Sequence, residues 1–217
     1  MTNMRLTITT FWLMASVLLS SVTSAQAPAG VPVFVITPAD SSVKFAVEAS
    51  VSIEGTFDRW EATLTFKSPY VTTGVLDVKI QAASVDTGSS LKNGKLKGTD
   101  FFDVEHNPLI TFKSTKIVET SFDTFDVDGN FTIRGVTKPE KLKLTVSGRG
   151  TGSGVIAGTM AFDRKDYGMN SGIPFIRIAD RVAVTANLKA KRVAGRPVVS
   201  KQQQPARQDI VKRDRAA

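Results

Sequence analysis

The only histidine of the chain, His106, lies in an acidic stretch, DFFDVEHNP, that spans residues 100–108. The carboxylates of Asp100, Asp103 and Glu105 surround it, so acid–base catalysis and metal binding are the chemistries to consider first. A zinc-type site needs further nitrogen or sulfur ligands, and the chain has no second His and no Cys. We therefore predict a structural turn that leads into the strand LITFKST, with no metal and no catalytic role.

No other group of residues forms a nucleophile with its base, or a cofactor-binding motif, so we expect a protein that is not an enzyme and needs no cofactor. Asp100 is instead predicted to cap a turn that places Phe101 and Phe102 over one end of the fold. Pro108 favours an extended conformation at Asn107, from which the next strand starts.

Residues 1–27 have the three parts of a secretory signal peptide. Arg5 supplies positive charge, residues 11–19 form an apolar core, and Ala25 and Ala27 form a small-residue cleavage site. The apolar core is short for a transmembrane helix, although a retained N-terminal anchor is the alternative. We expect cleavage after Ala27 and a periplasmic or secreted protein without a transmembrane segment. The absence of Cys fits a bacterial envelope.

Positive charge is concentrated at the C-terminus. The chain has a formal net charge of +8, and residues 191–217 contain eight basic but two acidic residues. Residues 28–193 have the size of one domain, whereas residues 194–217 form a basic, polar tail that is predicted to be disordered. The tail is either solvated or binds an anionic envelope surface. Nothing predicts nucleic-acid binding.

Apolar residues recur at every second position after the signal peptide, which is the pattern of half-buried strands. The opposite face carries mainly Lys and Thr. About eight antiparallel strands with short links predict an all-β, up-and-down barrel, with a sandwich as the alternative. Full closure would leave no exposed sheet edge. The apolar positions are Leu64, Phe66, Leu76, Val78, Ile80, Ile110, Phe112, Phe131, Ile133, Leu142, Leu144, Val146, Met160, Phe162, Val182, Val184, Ala186 and Leu188.

Two intervals, 86–108 and 164–180, interrupt the alternation, and the first is predicted to contain one short helical segment. The sequence Asp128-Gly129-Asn130 has turn composition and predicts a hairpin there. An outer-membrane barrel with its apolar face toward lipid is disfavoured, because its lumen would bury several Lys side chains.

The interior of such a barrel leads to two functional hypotheses. An eight-stranded barrel is either filled by side chains or wide enough for one small ligand. Ten buried carbons would contribute roughly 8 kcal/mol before ordering costs are subtracted, so a lipid tail needs few polar contacts. The protein is therefore either a carrier of an apolar chain or a structural and adhesion protein with a filled barrel and a polyanion-binding tail.

Five segments resemble motifs of the YceI-like family of secreted lipid-binding proteins, in the family's order. The most specific are DFFDVEHNPLITFKST and, after it, TIRGVTKP. The resemblance covers most of residues 33–193. The segments are residues 41–60, 80–88, 96–115, 129–146 and 162–170.

The resemblance implies a lipocalin-like, eight-stranded antiparallel barrel around an elongated apolar cavity. It also implies non-catalytic binding, carriage or sequestration of a polyisoprenoid such as a polyprenyl quinone, or of a related amphiphile, in proteins linked to acid or osmotic stress. The oligomeric state stays open, a dimer included. With the alternating positions added, the candidate ligand-binding residues are Phe45, Val47, Phe57, Leu64, Phe66, Leu76, Val78, Ile80, Phe101, Phe102, Ile110, Phe112, Phe131, Ile133, Leu142, Leu144, Met160 and Phe162.

The chain departs from the family pattern at three positions. In many relatives a His stands at the positions of Ala49 and Lys95, and an Asp stands at the position of Asn93. If the histidines of those relatives contact a polar headgroup or a metal, the resemblance implies that this contact is absent or altered here.

Overall fold

The computed structural model describes residues 30–50, 53–172 and 175–200. The predicted signal peptide and the tail beyond Ser200 lie outside the described residues. The described elements are β1 (Val33–Ile36), β2 (Ser42–Ala49), β3 (Ile53–Phe57), β4 (Trp60–Phe66), β5 (Gly74–Gln81), β6 (Val85–Asp86), α1 (Ser90–Lys97), β7 (Leu109–Glu119), β8 (Thr124–Ile133), β9 (Val136–Val146), β10 (Ser153–Asp163) and β11 (Ile178–Ala194).

All these strands belong to one curled antiparallel sheet. The strand order is β4-β5-β7-β8-β9-β10-β11-β2-β3-β6, and β1 pairs with the end of β11. The lipocalin-like antiparallel architecture predicted from the sequence is confirmed. The described ranges contain eleven strands where about eight were predicted, and three of them, β1, β3 and β6, have five residues or fewer. The hydrogen-bonded ladder itself has two ends. These ends are β4 and the two-residue strand β6. Beside β6, strand β3 continues directly into β4 through Asp58 and Arg59.

The predicted alternation of apolar and polar faces holds along β8. Phe125, Val127 and Phe131 are buried, whereas the alternate residues face outward. On that outer face, Lys141 of β9 lies 3.5 Å from Asp126 and 3.2 Å from Asp128. Burial of the apolar face thus fixes which way each strand faces.

The hairpin turn predicted at residues 128–130 is wrong, because these residues lie inside β8. Gly129 is there for a packing reason: a Cβ at this position would lie 2.5 Å from Cζ of Phe112. A glycine inside a strand often marks such a close approach. The turn between β8 and β9 is instead formed by Arg134 and Gly135, both with positive φ (52° and 73°), as in a type I′ hairpin.

Helix α1 is the predicted short helical segment between residues 86 and 108. The side chain of Ser89 accepts a hydrogen bond from the backbone N–H of Lys92 and caps the helix N-terminus. Leu96 is buried against the barrel. None of the helices in the described ranges has the length and apolar character needed to cross a bilayer.

Residues 195–200, assigned to the tail from the sequence, pack against the barrel. The N–H of Val199 donates to the carbonyl of Pro69 (2.8 Å). The hydroxyl of Ser200, which is fully buried, donates to Glu119 (2.9 Å).

Candidate ligand-binding cavities

Cavities of about 120 Å³ each lie at opposite ends of the strands. They share no lining residue. The first, which we call the helix-end cavity, lies beneath α1 and is lined by Val43, Phe45, Val47, Ile53, Phe57, Ile80, Lys92, Lys95, Leu96, Phe101, Phe102, Ile110, Phe131, Ile133, Phe162, Arg164, Met169, Ile176, Ile178, Val182 and Val184.

Aromatic side chains form much of the wall of the helix-end cavity. The rings of Phe45 and Phe57 are 5.6 Å apart between centroids, and Phe102 packs on both. On the opposite side, Phe131 and Phe162 are 5.0 Å apart. Offset and edge-on rings at these distances stabilise a rigid apolar wall.

Tyr167 closes the wall behind Phe131 and Phe162, with which it makes edge-on contacts. Its side chain is fully buried, and its hydroxyl donates a hydrogen bond to Oε1 of Glu140 (2.9 Å). Burial first, and the Glu140 carboxylate second, raise the pKa of Tyr167 well above its usual range. The phenol therefore stays neutral, as an apolar wall requires.

Helix α1, a first loop of residues 98–108 and a second loop that begins at Arg164 cover this end of the barrel and are joined by polar contacts. The carboxylate of Asp100 binds Nζ of Lys95 on α1 and accepts a hydrogen bond from Ser171 Oγ (3.0 Å). Arg134 donates to the carbonyls of Thr99 (2.8 Å) and Gly168. Asp100 was predicted to cap a turn; in the structure its side chain instead links the helix to the second loop.

Arg164 is the buried anchor of that second loop. Its guanidinium donates to the carbonyls of Ser171 (3.0 Å), Ala179 (3.1 Å) and Met169 and pairs with Asp180 at 3.1 Å. Only 6% of the residue is exposed. The hydrogen bonds satisfy the charge, so the alkyl stem can line the cavity.

The charged residues among the described lining of the helix-end cavity are Lys92, Lys95 and Arg164. Lys95 pairs with Asp100, and the hydrogen bond from Lys95, then that from Ser171, lowers the pKa of the Asp100 carboxyl below its ordinary value. The charged ends of Lys95 and Arg164 are held by Asp100 and by Asp180 and loop carbonyls, respectively, so their alkyl stems can border the cavity.

Asp103, Glu105 and His106 do not line this cavity. The His106 side chain is 73% exposed, and Nδ1 lies 2.9 Å from Oδ1 of Asp103. This contact, with Glu105 as a smaller cause, raises the pKa of His106. Within the described residues, no three His, Cys, Asp or Glu side chains come together as a metal site would require.

The second, distal cavity opens between β1, β4 and the turn from β9 to β10. Arg149 at its rim pairs with Glu119 (3.4 Å) and stacks on the ring of Phe122 at 4.7 Å. The cavity is lined by Phe34, Leu64, Phe66, Val71, Ile117, Phe125, Leu144, Val146, Ser147, Gly148, Arg149, Gly150, Gly152, Ser153, Gly154, Ile156, Ala190, Arg192, Pro197 and Val198.

The structure divides the eighteen candidate residues among three places. Leu64, Phe66 and Leu144 line the distal cavity. Leu76, Val78, Phe112, Leu142 and Met160 line neither cavity, because they occupy the middle of the barrel between the two. The ten that line the helix-end cavity are Phe45, Val47, Phe57, Ile80, Phe101, Phe102, Ile110, Phe131, Ile133 and Phe162.

Several lining residues were not among the candidates. Val43 continues the alternation of Phe45 and Val47, so the period-two pattern could have found it. Arg164 could not have been found this way, because a charged residue in a loop gives no apolar signal. The other lining residues that were not among the candidates are Ile53, Lys92, Lys95, Leu96, Met169, Ile176, Ile178, Val182 and Val184.

Known proteins share this sequence pattern. The UPF0312 protein of Pseudomonas syringae pv. syringae (strain B728a) is 32% identical over 133 residues, which cover 59% of this chain and 69% of that protein. The UPF0312 protein of Pseudomonas aeruginosa (strain LESB58) is 35% identical over 96 residues, which cover 44% of this chain and 50% of that protein.

Solved structures share the fold. Burkholderia cenocepacia BcnA superposes with a TM-score of 0.65 at 25% identity, covering 71% of this chain and 99% of that one. The Campylobacter jejuni YCEI protein gives a TM-score of 0.53 at 25% identity, covering 63% and 83%. A polyisoprenoid binding domain from Saccharophagus degradans gives 0.57 at 14% identity, covering 74% and 99%, and supports the fold alone.

One family model matches the part of the chain that forms the barrel and its covered end. The YceI-like domain matches residues 34–190, which include every strand from β2 to β10 and most of β11. This chain therefore belongs to the YceI-like domain family.

Proposed function

We propose that this protein binds a long-chain apolar ligand, of the polyisoprenoid class or a similar amphiphile, without catalysing a reaction on it. The observation that carries the proposal is the helix-end cavity, in which carbon surface from six Phe residues surrounds an unfilled space of about 120 Å³. None of its described lining residues is acidic. Apolar burial contributes about 0.8 kcal/mol per methylene, so such a cavity favours a hydrocarbon chain.

The polyisoprenoid class is proposed because the chain belongs to the YceI-like domain family and shares its fold with a polyisoprenoid binding domain of Saccharophagus degradans. The proposed place of action is the periplasm or the outside of the cell, on the strength of the signal-peptide pattern in residues 1–27. Carriage or sequestration of such a chain there, including under envelope stress, is the role that fits both features.

A pair of substitutions on β11 tests ligand binding in the helix-end cavity. Val184→Phe adds a ring inside the cavity, whereas Val193→Phe adds the same ring on the same strand at a residue that is 56% exposed. We expect Val184→Phe to weaken the binding of geranylgeraniol, measured by displacement of a fluorescent apolar probe, at least about tenfold, since two lost methylene contacts are worth that much. Val193→Phe should bind as the unmodified protein does.

Equal binding by both variants would contradict the placement of the ligand. Absence of geranylgeraniol binding by the unmodified protein, together with no uptake of longer prenols, would contradict the proposed function itself.

A further inference from the structure

The middle of the barrel is a solid layer that separates the two cavities. Its residues lie on β5, β7, β8, β9 and β11, line neither cavity and are all buried. On β7, β8 and β11 they stand between a helix-end and a distal lining residue of the same strand. We call this layer the septum; it consists of Leu76, Phe112, Val127, Leu142 and Leu188.

Phe112 is the aromatic residue of the septum. On its own strand, Ile110 lines the helix-end cavity and Ile117 lines the distal one. The Phe112 ring extends over β8 where Gly129 leaves space, since a Cβ there would lie 2.5 Å from its Cζ and 2.9 Å from its Cε2. The ring therefore packs on β8, at a strand position between the lining residues of the two cavities.

Neither cavity alone has room for a long chain. Each measures about 120 Å³, and an engineered apolar cavity of about 150 Å³ holds one benzene molecule. A chain of several isoprene units can gain burial along its whole length only if it passes from one cavity into the other. The shortest route crosses the septum.

We propose that the Phe112 ring limits the length of the apolar chain that the helix-end cavity accepts, because a longer chain has to displace this ring to reach the distal cavity. This inference rests on the proposed function and adds a specificity-determining residue to it. Short chains bind with the ring in place. For longer chains, the free energy gained per added isoprene unit falls once the chain meets the septum.

The test is the chain-length dependence of binding, with linear prenols of two, three, four and eight isoprene units as probes. In Phe112→Ala, the ratio of affinities for the eight-unit and two-unit prenols should exceed that of the unmodified protein at least about tenfold, as burial of a few further methylenes requires. Phe112→Leu, a milder truncation, should shift the ratio in the same direction if the alanine variant does not fold.

Phe122→Leu is the matched control, because it truncates a ring at a residue that is 49% exposed and lines neither cavity. It should keep the affinity ratio of the unmodified protein. Measurable prenol binding with the same ratio in both Phe112 variants would overturn the role of the septum while leaving the proposed function standing, as would an equal shift in Phe122→Leu. No binding of any prenol by any form would overturn both.

Discussion

Single residues in this barrel are constrained chiefly by how closely their neighbours approach. Gly129 looks like a turn residue in the sequence, yet it lies inside β8 beneath the ring of Phe112. Gly94, in contrast, lies in α1, and outside the backbone of its own helix no neighbour lies within 4 Å of a Cβ at this position. The two glycines therefore differ in what a methyl group would meet.

Gly129→Ala is expected to destabilise the fold by about 1–3 kcal/mol, because the added methyl overpacks the septum. The new Cβ would meet both Phe112 and the carbonyl of Lys113, at 2.8 Å. Gly94→Ala should stabilise the protein by about 0.5–1 kcal/mol through helix propensity. Urea unfolding of the two variants measures both free energies, and destabilisation of the same size at the two sites would contradict the packing argument.

The alternation of the sequence predicted much of the residue-level packing. It identified Ile110, Phe131 and Phe162 as interior, because a half-buried strand has one apolar face. It missed the role of Gly129, since turn composition and close packing both select glycine and only the fold distinguishes them. The sequence also argued against a metal site at His106, because the chain has no second His and no Cys to complete it.

At the scale of elements, burial of the apolar face determines which way each strand faces. Polar contacts hold the helix and loops that cover the helix-end cavity. Asp100 connects α1, through Lys95, to the loop that carries Ser171. The periodicity of the sequence did not predict this cover, because loops and an eight-residue helix with one buried residue have no regular apolar face.

Acid is expected to weaken this connection. The pKa of Asp100 is lower in the folded protein than its ordinary value of 3.8, first because of the hydrogen bond from Lys95 and then because of that from Ser171. Asp100 therefore stabilises the folded state above the unfolded pKa, and this stabilisation is lost as the pH falls through the folded pKa. The melting temperatures of the protein and of Asp100→Asn should differ by a constant amount from pH 7 to pH 5 and converge toward pH 3.

A difference in melting temperature that does not change with pH would show that the Asp100 charge contributes nothing to the fold. Asp86 and Asp180 also have lowered pKa values, but they are present in both forms, so their effect cancels in the comparison.

At the scale of the whole molecule, the sequence predicted the curled antiparallel architecture and the inward face of its strands. It did not predict that the interior is divided, because alternation tells which face a residue occupies and not how deep along the barrel it lies. Phe112 and Phe131 share a face in the sequence pattern, yet one belongs to the septum and the other lines a cavity.

The C-terminal boundary of the folded unit can be tested by truncation. Removal of residues 201–217 should leave ligand binding and stability unchanged. Removal of residues 195–217 should lower the free energy of unfolding on the order of 1–2 kcal/mol, because the hydrogen bond from Ser200 to Glu119 is lost. Thermal unfolding and prenol binding of both truncations measure this, and equal behaviour of the two would place the boundary elsewhere.

The most direct test of apolar ligand binding is native mass spectrometry of the protein recovered from its own cells. We expect an added mass that organic extraction releases as an apolar chain, and that is depleted in Val184→Phe but retained in Val193→Phe. A ligand-free mass in every form, with no uptake of added prenols, would contradict the account.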